Sequence, residues 1–220
     1  MTRPRATHVI FDMDGVLLDT ERLYTQATQD IVARYGKTFD WSVKGDMIGR
    51  PALDSARHLV RALELPFSPE DYLRERAVVL ERLMPTAEPM PGAVTLTERL
   101  AARGIAMAVA TSSNRQMFEL KTQRHREWFA AFRAVVLGDD PAVHEGKPAP
   151  DIFLLAARRL GASPSACVVV EDAPAGVEAA RAAGMRVVAV PDPGMDRARY
   201  DEADLVCDSL IDLTVDQLIA

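Results

Sequence analysis

The chain has 220 residues, with 26 lysines and arginines against 32 aspartates and glutamates, and a net charge of -6. This length suits one large domain, or a core that carries a smaller inserted one. The acidic balance argues against a nucleic acid or an acidic membrane surface as a partner held by bulk electrostatics. Basic residues between Arg115 and Arg133 alternate with acidic and amide residues, which predicts a solvated helix face.

The two cysteines, Cys167 and Cys207, lie in apolar surroundings, which is typical of packed thiols in a reducing compartment. No CxxC or Cys/His metal spacing occurs. Residues 1–8 lack the apolar segment of a signal peptide, and no apolar run approaches membrane-spanning length. We therefore expect a cytoplasmic protein with no membrane partner, and a monomer.

The first predicted element is a buried strand, Val9–Phe11, followed by Asp12, Asp14 and Gly15. Residues two apart on an extended backbone point the same way, so the two carboxylates should converge. Such a pair repels unless a cation or a shared proton relieves it, and the carboxyl end of a strand is where ligands bind in an open α/β sheet. Asp and Gly are also ordinary turn residues, so this stretch alone is equally compatible with a simple turn.

Residues 17–88 are predicted to be helical throughout. A helix capped by Asp19-Thr20 runs to about Tyr35, a second follows Pro51, and a third begins at Ser68-Pro69-Glu70. No strand signal interrupts them.

From Pro89 onward, predicted helices and strands alternate, which implies right-handed βαβ units and a parallel sheet. The predicted strands are Ile105–Ala110, Ala134–Leu137, Cys167–Val170, Arg186–Val190 and Leu205–Cys207. The predicted helices are Gly92–Arg103, Asn114–Trp128, Asp151–Leu160, Ala173–Ala183 and Leu213–Ile219. The expected fold class is α/β, a doubly wound (Rossmann-like) parallel sheet core of residues 1–16 and 89–220 with an inserted all-helical cap domain, residues 17–88. The insert would lie above the first strand's acids and could close over them, as lids do.

Three further predicted strand ends carry polar groups. Thr111 and Ser112 precede a helix, where hydroxyls and backbone N–H groups make an anion site. Lys147 stands in a proline-stiffened loop and could neutralise phosphate oxygens, and Glu171 and Asp172 follow another strand. Each has an ordinary explanation, a helix cap or a solvated lysine.

The four strand ends are more informative together, because they meet at one edge of the sheet. Clustered carboxylates without histidine or thiolate suit a hard cation, of which Mg²⁺ is the usual one in phosphate sites. The cation, Lys147 and the hydroxyl site would hold a phosphoryl group from several sides. Phosphoryl transfer depends on that kind of positioning and charge neutralisation.

The motif order DxDGV, ATSS, GKPxPD and EDAPxGVEAA resembles the haloacid dehalogenase-like hydrolase superfamily, in the branch with a helical cap after the first motif. The resemblance implies a Mg²⁺-dependent phosphatase acting on a small phosphorylated metabolite. The expected reaction hydrolyses a phosphate monoester, pseudouridine 5'-phosphate or a sugar phosphate, through an aspartyl-phosphate.

The resemblance also implies a role for each motif residue. Asp12 would be the nucleophile, and Asp14 the general acid and then the base, with Lys147 as the third catalytic residue. The metal ligands would be Asp12, the Asp14 backbone carbonyl and Asp172, with Glu171 nearby. The phosphoryl group would be held by Thr111, Ser112 and Lys147.

Two alternatives stay open. The sugar phosphomutases of the same superfamily share the four motifs, but they carry a histidine where this chain has Tyr24 and a cap arginine where it has Ala52, with Arg50 close by. A non-catalytic phosphate-binding relative should have lost an acid or the lysine, and none is missing here. Tyr24 and Arg50 are the candidate substrate contacts.

Overall fold

The computed structural model describes residues 5–47 and 52–220, which contain a six-stranded parallel sheet with helices packed against it. The strands are β1 (His8–Phe11), β2 (Ala106–Thr111), β3 (Ala134–Leu137), β4 (Cys167–Glu171), β5 (Arg186–Ala189) and β6 (Leu205–Val206). They are ordered β3-β2-β1-β4-β5-β6, and every neighbouring pair is parallel. The strand order reverses between β1 and β4, and a reversal of this kind opens a ligand crevice at the carboxyl ends of the strands. The predicted fold class is confirmed.

The strands are apolar because both faces of the sheet are covered. Val9 and Phe11 belong to one buried cluster and Ile10 to another, as expected when successive side chains point to opposite faces. All three have no exposed surface. The central position of β1 therefore places the residues that follow Phe11 in the middle of the sheet's carboxyl edge.

The helices after β1 are α1 (Glu21–Ala33), α2 (Trp41–Lys44), α3 (Ala52–Ala62) and α4 (Pro69–Leu83), followed by a 3-10 turn at Met84–Thr86. No strand occurs in the described part of residues 17–88, and the short α2 was not predicted. Where the chain leaves and re-enters the sheet region, Leu18 forms an antiparallel bridge with Pro89. This pairing lies next to both ends of the segment 17–88, and the assignment of that segment as a cap domain stays a prediction.

The later helices are α5 (Ala93–Ala102), α6 (Arg115–Thr122), α7 (Arg126–Phe129), α8 (Asp151–Leu160), α9 (Pro174–Ala182) and α10 (Val215–Ile219). The prediction of one helix over Asn114–Trp128 was wrong, because the chain turns between α6 and α7. The backbone N–H of His125 donates to Thr122 O at 2.8 Å, and the His125 ring nitrogen Nε2 lies 2.7 Å from Ala87 O. The imidazole thus ties this turn to the segment after α4.

Of the predicted cap pair of α1, Asp19 accepts from the Arg22 backbone N–H at 3.4 Å, whereas the side chain of Thr20, like that of Asp151 at the start of α8, bonds outside its own helix. Thr20 stands at the N-cap position of α1, but its hydroxyl donates to Asp14 Oδ1 at 2.7 Å instead of accepting from the helix. Asp151 is the first residue of α8, and its carboxylate accepts from the backbone N–H groups of His144 and Glu145 at 3.1 and 3.2 Å. Both side chains thus bond to residues near the carboxyl edge of the sheet, and Asp151 stabilises the loop that carries Lys147.

In residues 5–47 and 52–220, no helix combines the length and the hydropathy of a bilayer-spanning segment.

Candidate active site

Three carboxylates meet at the carboxyl ends of β1 and β4. Asp12 follows β1, while Glu171 ends β4 and Asp172 comes next; one carboxylate oxygen from each lies within 4.8 Å of the others. Asp12 is 6% exposed and Glu171 is 1% exposed. Three oxygen ligands in so small a volume suit a divalent cation of the Mg²⁺ type. The structure thus brings together the carboxylates of Asp12, Glu171 and Asp172, whereas the expected convergence of Asp12 with Asp14 is wrong, because the Asp14 carboxylate bonds to a different set of side chains.

Burial and mutual repulsion disfavour the charges of this cluster. Burial raises the pKa of Asp12 to about 7, with Lys147 opposing the shift and Glu171 adding to it. Burial also raises the pKa of Asp172 well above its ordinary value, and the neighbouring carboxylates of Glu171 and Asp12 raise it further. A bound cation would offset both causes, so the donor set fits a metal ion.

Lys147 lies between two of these acids. Its Nζ donates to Asp12 Oδ1 and to Glu171 Oε1, both at 2.5 Å, and its side chain is 9% exposed. Burial disfavours the ammonium, but the carboxylates of Asp12 and Glu171 outweigh it and raise the pKa of Lys147. The alternative of a solvated loop lysine is excluded, and the site carries a fixed positive charge.

Two glycines make room for the acids. Gly15 has φ of +78°, and a Cβ there would overlap the Asp172 carboxylate. A Cβ at Gly176, in the first turn of α9, would overlap the carboxylate of Glu171. Both carboxylates therefore occupy space that only glycine leaves free.

Asp14 lies in a separate network. Its Oδ1 accepts from Lys121 Nζ at 2.5 Å, in addition to Thr20, and its Oδ2 accepts from Ser113 Oγ at 3.0 Å and from Thr111 Oγ1 at 3.3 Å. Burial raises the pKa of Asp14, but the Lys121 ammonium and these hydrogen bonds outweigh it and lower the pKa overall. The structure therefore presents Asp14 as a carboxylate.

Lys121 was missed by the sequence reasoning, and for this residue the prediction of a solvated helix face was wrong. Its side chain is completely buried. Ser113 and Thr20 were also not assigned to the site. The spacing along α6 held a signal for Lys121, since Met117 four residues earlier and Phe118 three residues earlier pack against the core.

The other predicted residues are placed as follows. Thr111 is fully buried beside Asp14, whereas Ser112 is exposed and its neighbour Ser113 points to the site instead. Tyr24 accepts a hydrogen bond from Lys121 Nζ at 3.1 Å. Arg50 lies outside the described residues.

A cavity of about 370 Å³ opens among α1–α4, lined by polar and aromatic residues that include Tyr24, Lys44, Tyr72 and Arg76. It shares Glu21 and Lys44 with a second cavity, of about 250 Å³, whose lining includes Asp172. Space for an organic group thus lies next to the acidic cluster.

Tyr24 and Arg76 also contact each other in the first cavity, where the guanidinium lies 4.9 Å from the centre of the tyrosine ring. Arg76 Nε is buried and has no hydrogen-bond partner among the described residues. Arg76 is therefore a candidate donor to whatever fills this space.

The arrangement can combine a carboxylate nucleophile, a divalent-cation site, a fixed ammonium and a second carboxylate for proton transfer. Lys147 and a cation would face a phosphoryl group from two sides of Asp12. Charge neutralisation of this kind is what attack on a phosphate dianion requires.

Comparisons with known proteins agree with this geometry. The model of the haloacid dehalogenase-like hydrolase family matches residues 6–184. The chain is 50% identical over 215 residues to "(DL)-glycerol-3-phosphatase 1, mitochondrial" of Arabidopsis thaliana, covering 96% of this chain and 72% of that protein. It is 48% identical over 216 residues to a probable pseudouridine-5'-phosphatase of Drosophila melanogaster, covering 97% and 94%.

The fold has solved counterparts as well. The crystal structure of CbbY from Rhodobacter sphaeroides in complex with phosphate superposes with a TM-score of 0.75 at 28% identity, over 97% of this chain and 99% of that one. The chain belongs to the haloacid dehalogenase-like hydrolase family and is one of its phosphoric monoester hydrolases.

Proposed function

We propose that this protein is a Mg²⁺-dependent phosphatase that hydrolyses a small phosphate monoester through an aspartyl-phosphate on Asp12. The observation that carries the proposal is the pairing of Lys147 with Asp12 inside a cluster of three carboxylates. A buried acid beside a fixed ammonium and a cation site is a nucleophile whose repulsion toward phosphate is neutralised.

In the first step, the Asp12 carboxylate attacks phosphorus while the ester P–O bond breaks. The departing oxygen takes a proton from Asp14, which is a carboxylate without substrate and enters this step protonated because the negative charge of the bound phosphate raises its pKa. In the second step, water attacks the aspartyl-phosphate and gives its proton to Asp14, which restores Asp12 and releases phosphate. Lys147 balances charge on the phosphoryl oxygens. Thr111, which ends β2, and Ser112 after it are the proposed further contacts to the phosphoryl oxygens.

Mg²⁺ bound at this site would neutralise the phosphoryl and carboxylate charges. Asp12, Asp172 and the Asp14 backbone carbonyl are the proposed ligands. Both oxygens of Glu171 are already engaged, Oε1 by Lys147 and Oε2 by the Ala173 backbone N–H at 2.7 Å. Glu171 therefore serves chiefly to hold Lys147 beside the ion.

The cavity among α1–α4 supports a small leaving group. Its volume of about 370 Å³ lies at the lower end of the range for organic ligands. The curated relatives are named for glycerol 3-phosphate and pseudouridine 5'-phosphate. We place the substrate among polyol, sugar and nucleoside monophosphates, with Tyr24 as a contact to the leaving group; the Arg50 contact remains a prediction. Cytoplasmic location also remains a prediction, since one relative is named as mitochondrial.

The test is phosphate release from a panel of glycerol 3-phosphate, pseudouridine 5'-phosphate, hexose phosphates and p-nitrophenyl phosphate, with and without Mg²⁺. We expect turnover of at least one biological ester, abolished by Asp12→Asn and unchanged by Asp30→Asn, which makes the same chemical change on the exposed face of α1. Silence across the whole panel would contradict the proposal and support a binding protein.

β-Glucose 1-phosphate as the substrate distinguishes a phosphomutase from a phosphatase by the product that forms. Tyr24 occupies the place of the mutase histidine, and its hydroxyl is engaged by Lys121. We expect free phosphate as the product, and accumulation of glucose 6-phosphate would show the mutase alternative instead.

A further inference from the structure

Lys121 is a completely buried lysine that the reaction scheme leaves without a role. Fully buried lysines are rare unless they are paired, because the ammonium loses its hydration. Here Nζ donates to Asp14 Oδ1 at 2.5 Å, to Ser113 Oγ at 2.8 Å and to Tyr24 OH at 3.1 Å. An ammonium has three N–H bonds, so all of its donors are used.

These bonds fix the Asp14 side chain from several directions. Lys121 and Thr20 donate to one carboxylate oxygen, while Ser113 and Thr111 donate to the other. Lys121 also donates to the Ser113 hydroxyl, which turns the hydroxyl proton toward Asp14. Hydroxyls rotate easily, whereas Lys121 is the one cationic side chain bonded to Asp14 in the described part of the chain.

The third donor of Lys121 reaches the helices that line the cavity. Tyr24 belongs to α1 and lines the cavity proposed for the leaving group, while Lys121 belongs to α6. One buried ammonium therefore joins the proton-transfer carboxylate to the wall of the leaving-group cavity.

We propose, on the basis of the phosphatase function above, that Lys121 is a positioning residue that holds the Asp14 carboxyl group in line with the departing oxygen. Without the ammonium, Asp14 keeps only hydroxyl partners, and its carboxyl group is free to rotate away from the ester oxygen. Lys121 does not touch the phosphoryl group; it acts through Asp14.

The proposal predicts a dependence on the leaving group. An alkoxide is a poor leaving group and needs the proton from Asp14 as the P–O bond breaks, whereas p-nitrophenolate leaves without one. The comparison uses kcat/KM, which covers the steps up to release of the alcohol and so excludes the later attack of water. Loss of Asp14 positioning should therefore lower kcat/KM for alkyl phosphates selectively.

The variant is Lys121→Met, which keeps the length of the side chain and removes the ammonium. We expect kcat/KM to fall about 100-fold for the best alkyl phosphate of the panel and to stay within about threefold for p-nitrophenyl phosphate. The matched control is Lys37→Met, a lysine whose Nζ lies 3.7 Å from Glu64 at the surface, and it should leave both values unchanged. Equal losses on the two substrates would overturn the proposal.

A double-mutant cycle tests whether Lys121 acts through Asp14. Lys121→Met alone leaves a buried carboxylate without its cation and can impair folding, whereas Asp14→Asn/Lys121→Met removes both charges. We expect the double variant to match Asp14→Asn in kcat/KM, measured with the best alkyl phosphate of the panel on proteins of matched circular dichroism. A further tenfold loss in the double variant would overturn the proposal. A wild-type protein without phosphatase activity would instead refute the proposed function itself.

Discussion

Lys147 Nζ lies 2.5 Å from Asp12 Oδ1, although the two residues are 135 positions apart in the chain. The contact exists because β1 is central in the sheet and the loop after β3 reaches across the carboxyl end of β2. The lysine neutralises only part of the cluster, since three carboxylates meet there. Excess negative charge in a buried site costs folding stability until a cation binds, which leads to the first prediction.

We expect Asp12→Asn to stabilise the metal-free protein, increasingly so at higher pH. Burial raises the pKa of Asp12 from 3.8 to about 7. A carboxyl group with a raised pKa in the folded state binds its proton more tightly when folded, so its cost to stability grows between about pH 4 and pH 7 and is complete above that. In EDTA, the difference in Tm between variant and wild type should widen from pH 5 to pH 8 by about 5 °C.

The control for this measurement is Asp30→Asn, which removes an exposed carboxylate on α1. Its Tm difference from wild type should not widen over the same pH range. Saturating Mg²⁺ should narrow the difference for Asp12→Asn, because the ion stabilises only the wild-type cluster fully. If the Tm difference between Asp12→Asn and wild type does not change with pH, the pKa of Asp12 is not raised in the folded protein.

We expect Asp172→Asn to weaken Mg²⁺ binding more than it damages the chemistry. Asp172 supplies one of the three clustered oxygens, and an amide oxygen is a poorer ligand than a carboxylate. The Mg²⁺ concentration for half-maximal phosphate release should rise at least about tenfold, with much of kcat recovered at high Mg²⁺. Asp208→Asn is the control, because Asp208 is exposed and lies outside the cluster. Equal Mg²⁺ dependence in both variants would exclude Asp172 as a ligand.

Much of the fold was predictable because its signals are local. Strands buried on both faces show as short apolar runs, and β3 and α8 have the predicted bounds. The break between α6 and α7 was not predictable, because it depends on the His125 ring reaching Ala87 O in a distant segment. The four-residue α2 was missed because so short a helix has no periodicity to detect.

The site residues show the same distinction between local sequence signals and tertiary packing. Asp12 and Glu171 were predicted because one directly follows a strand and the other ends a strand, and parallel strands bring their ends together. Lys147 was predicted from its proline-stiffened loop between β3 and α8. Lys121 was not, because a lysine in a basic stretch is normally solvated, and its spacing from Met117 and Phe118 along α6 was a weaker signal than that composition. Ser113 was missed in favour of Ser112, since the direction of a side chain after a strand depends on the local turn.

We expect Gly176→Ala to cost both stability and activity. The added Cβ would overlap the Glu171 carboxylate, which holds Lys147, so either α9 or Glu171 has to move. The free energy of unfolding should fall by about 1–3 kcal/mol, and kcat should fall because Lys147 loses one of its two carboxylate partners. Gly146→Ala is the stability control, because a Cβ there meets nothing within 4 Å. Urea unfolding and phosphate release measure the two effects, and a Gly176→Ala protein as stable as Gly146→Ala would contradict the packing argument.

We expect Arg76→Met to change substrate binding and to leave bond cleavage largely intact. Arg76 lines the cavity among α1–α4, and its buried Nε has no hydrogen-bond partner among the described residues. A hydroxyl or carbonyl oxygen of the leaving group would satisfy this donor, and a hydrogen bond to a charged group contributes about 1.5–3 kcal/mol. KM for the best biological ester should therefore rise at least about tenfold, while kcat stays within about threefold. Arg82→Met, an exposed arginine on the same helix, should leave both constants unchanged. If Arg76→Met instead lowers kcat and leaves KM as it was, the leaving group does not bind in this cavity.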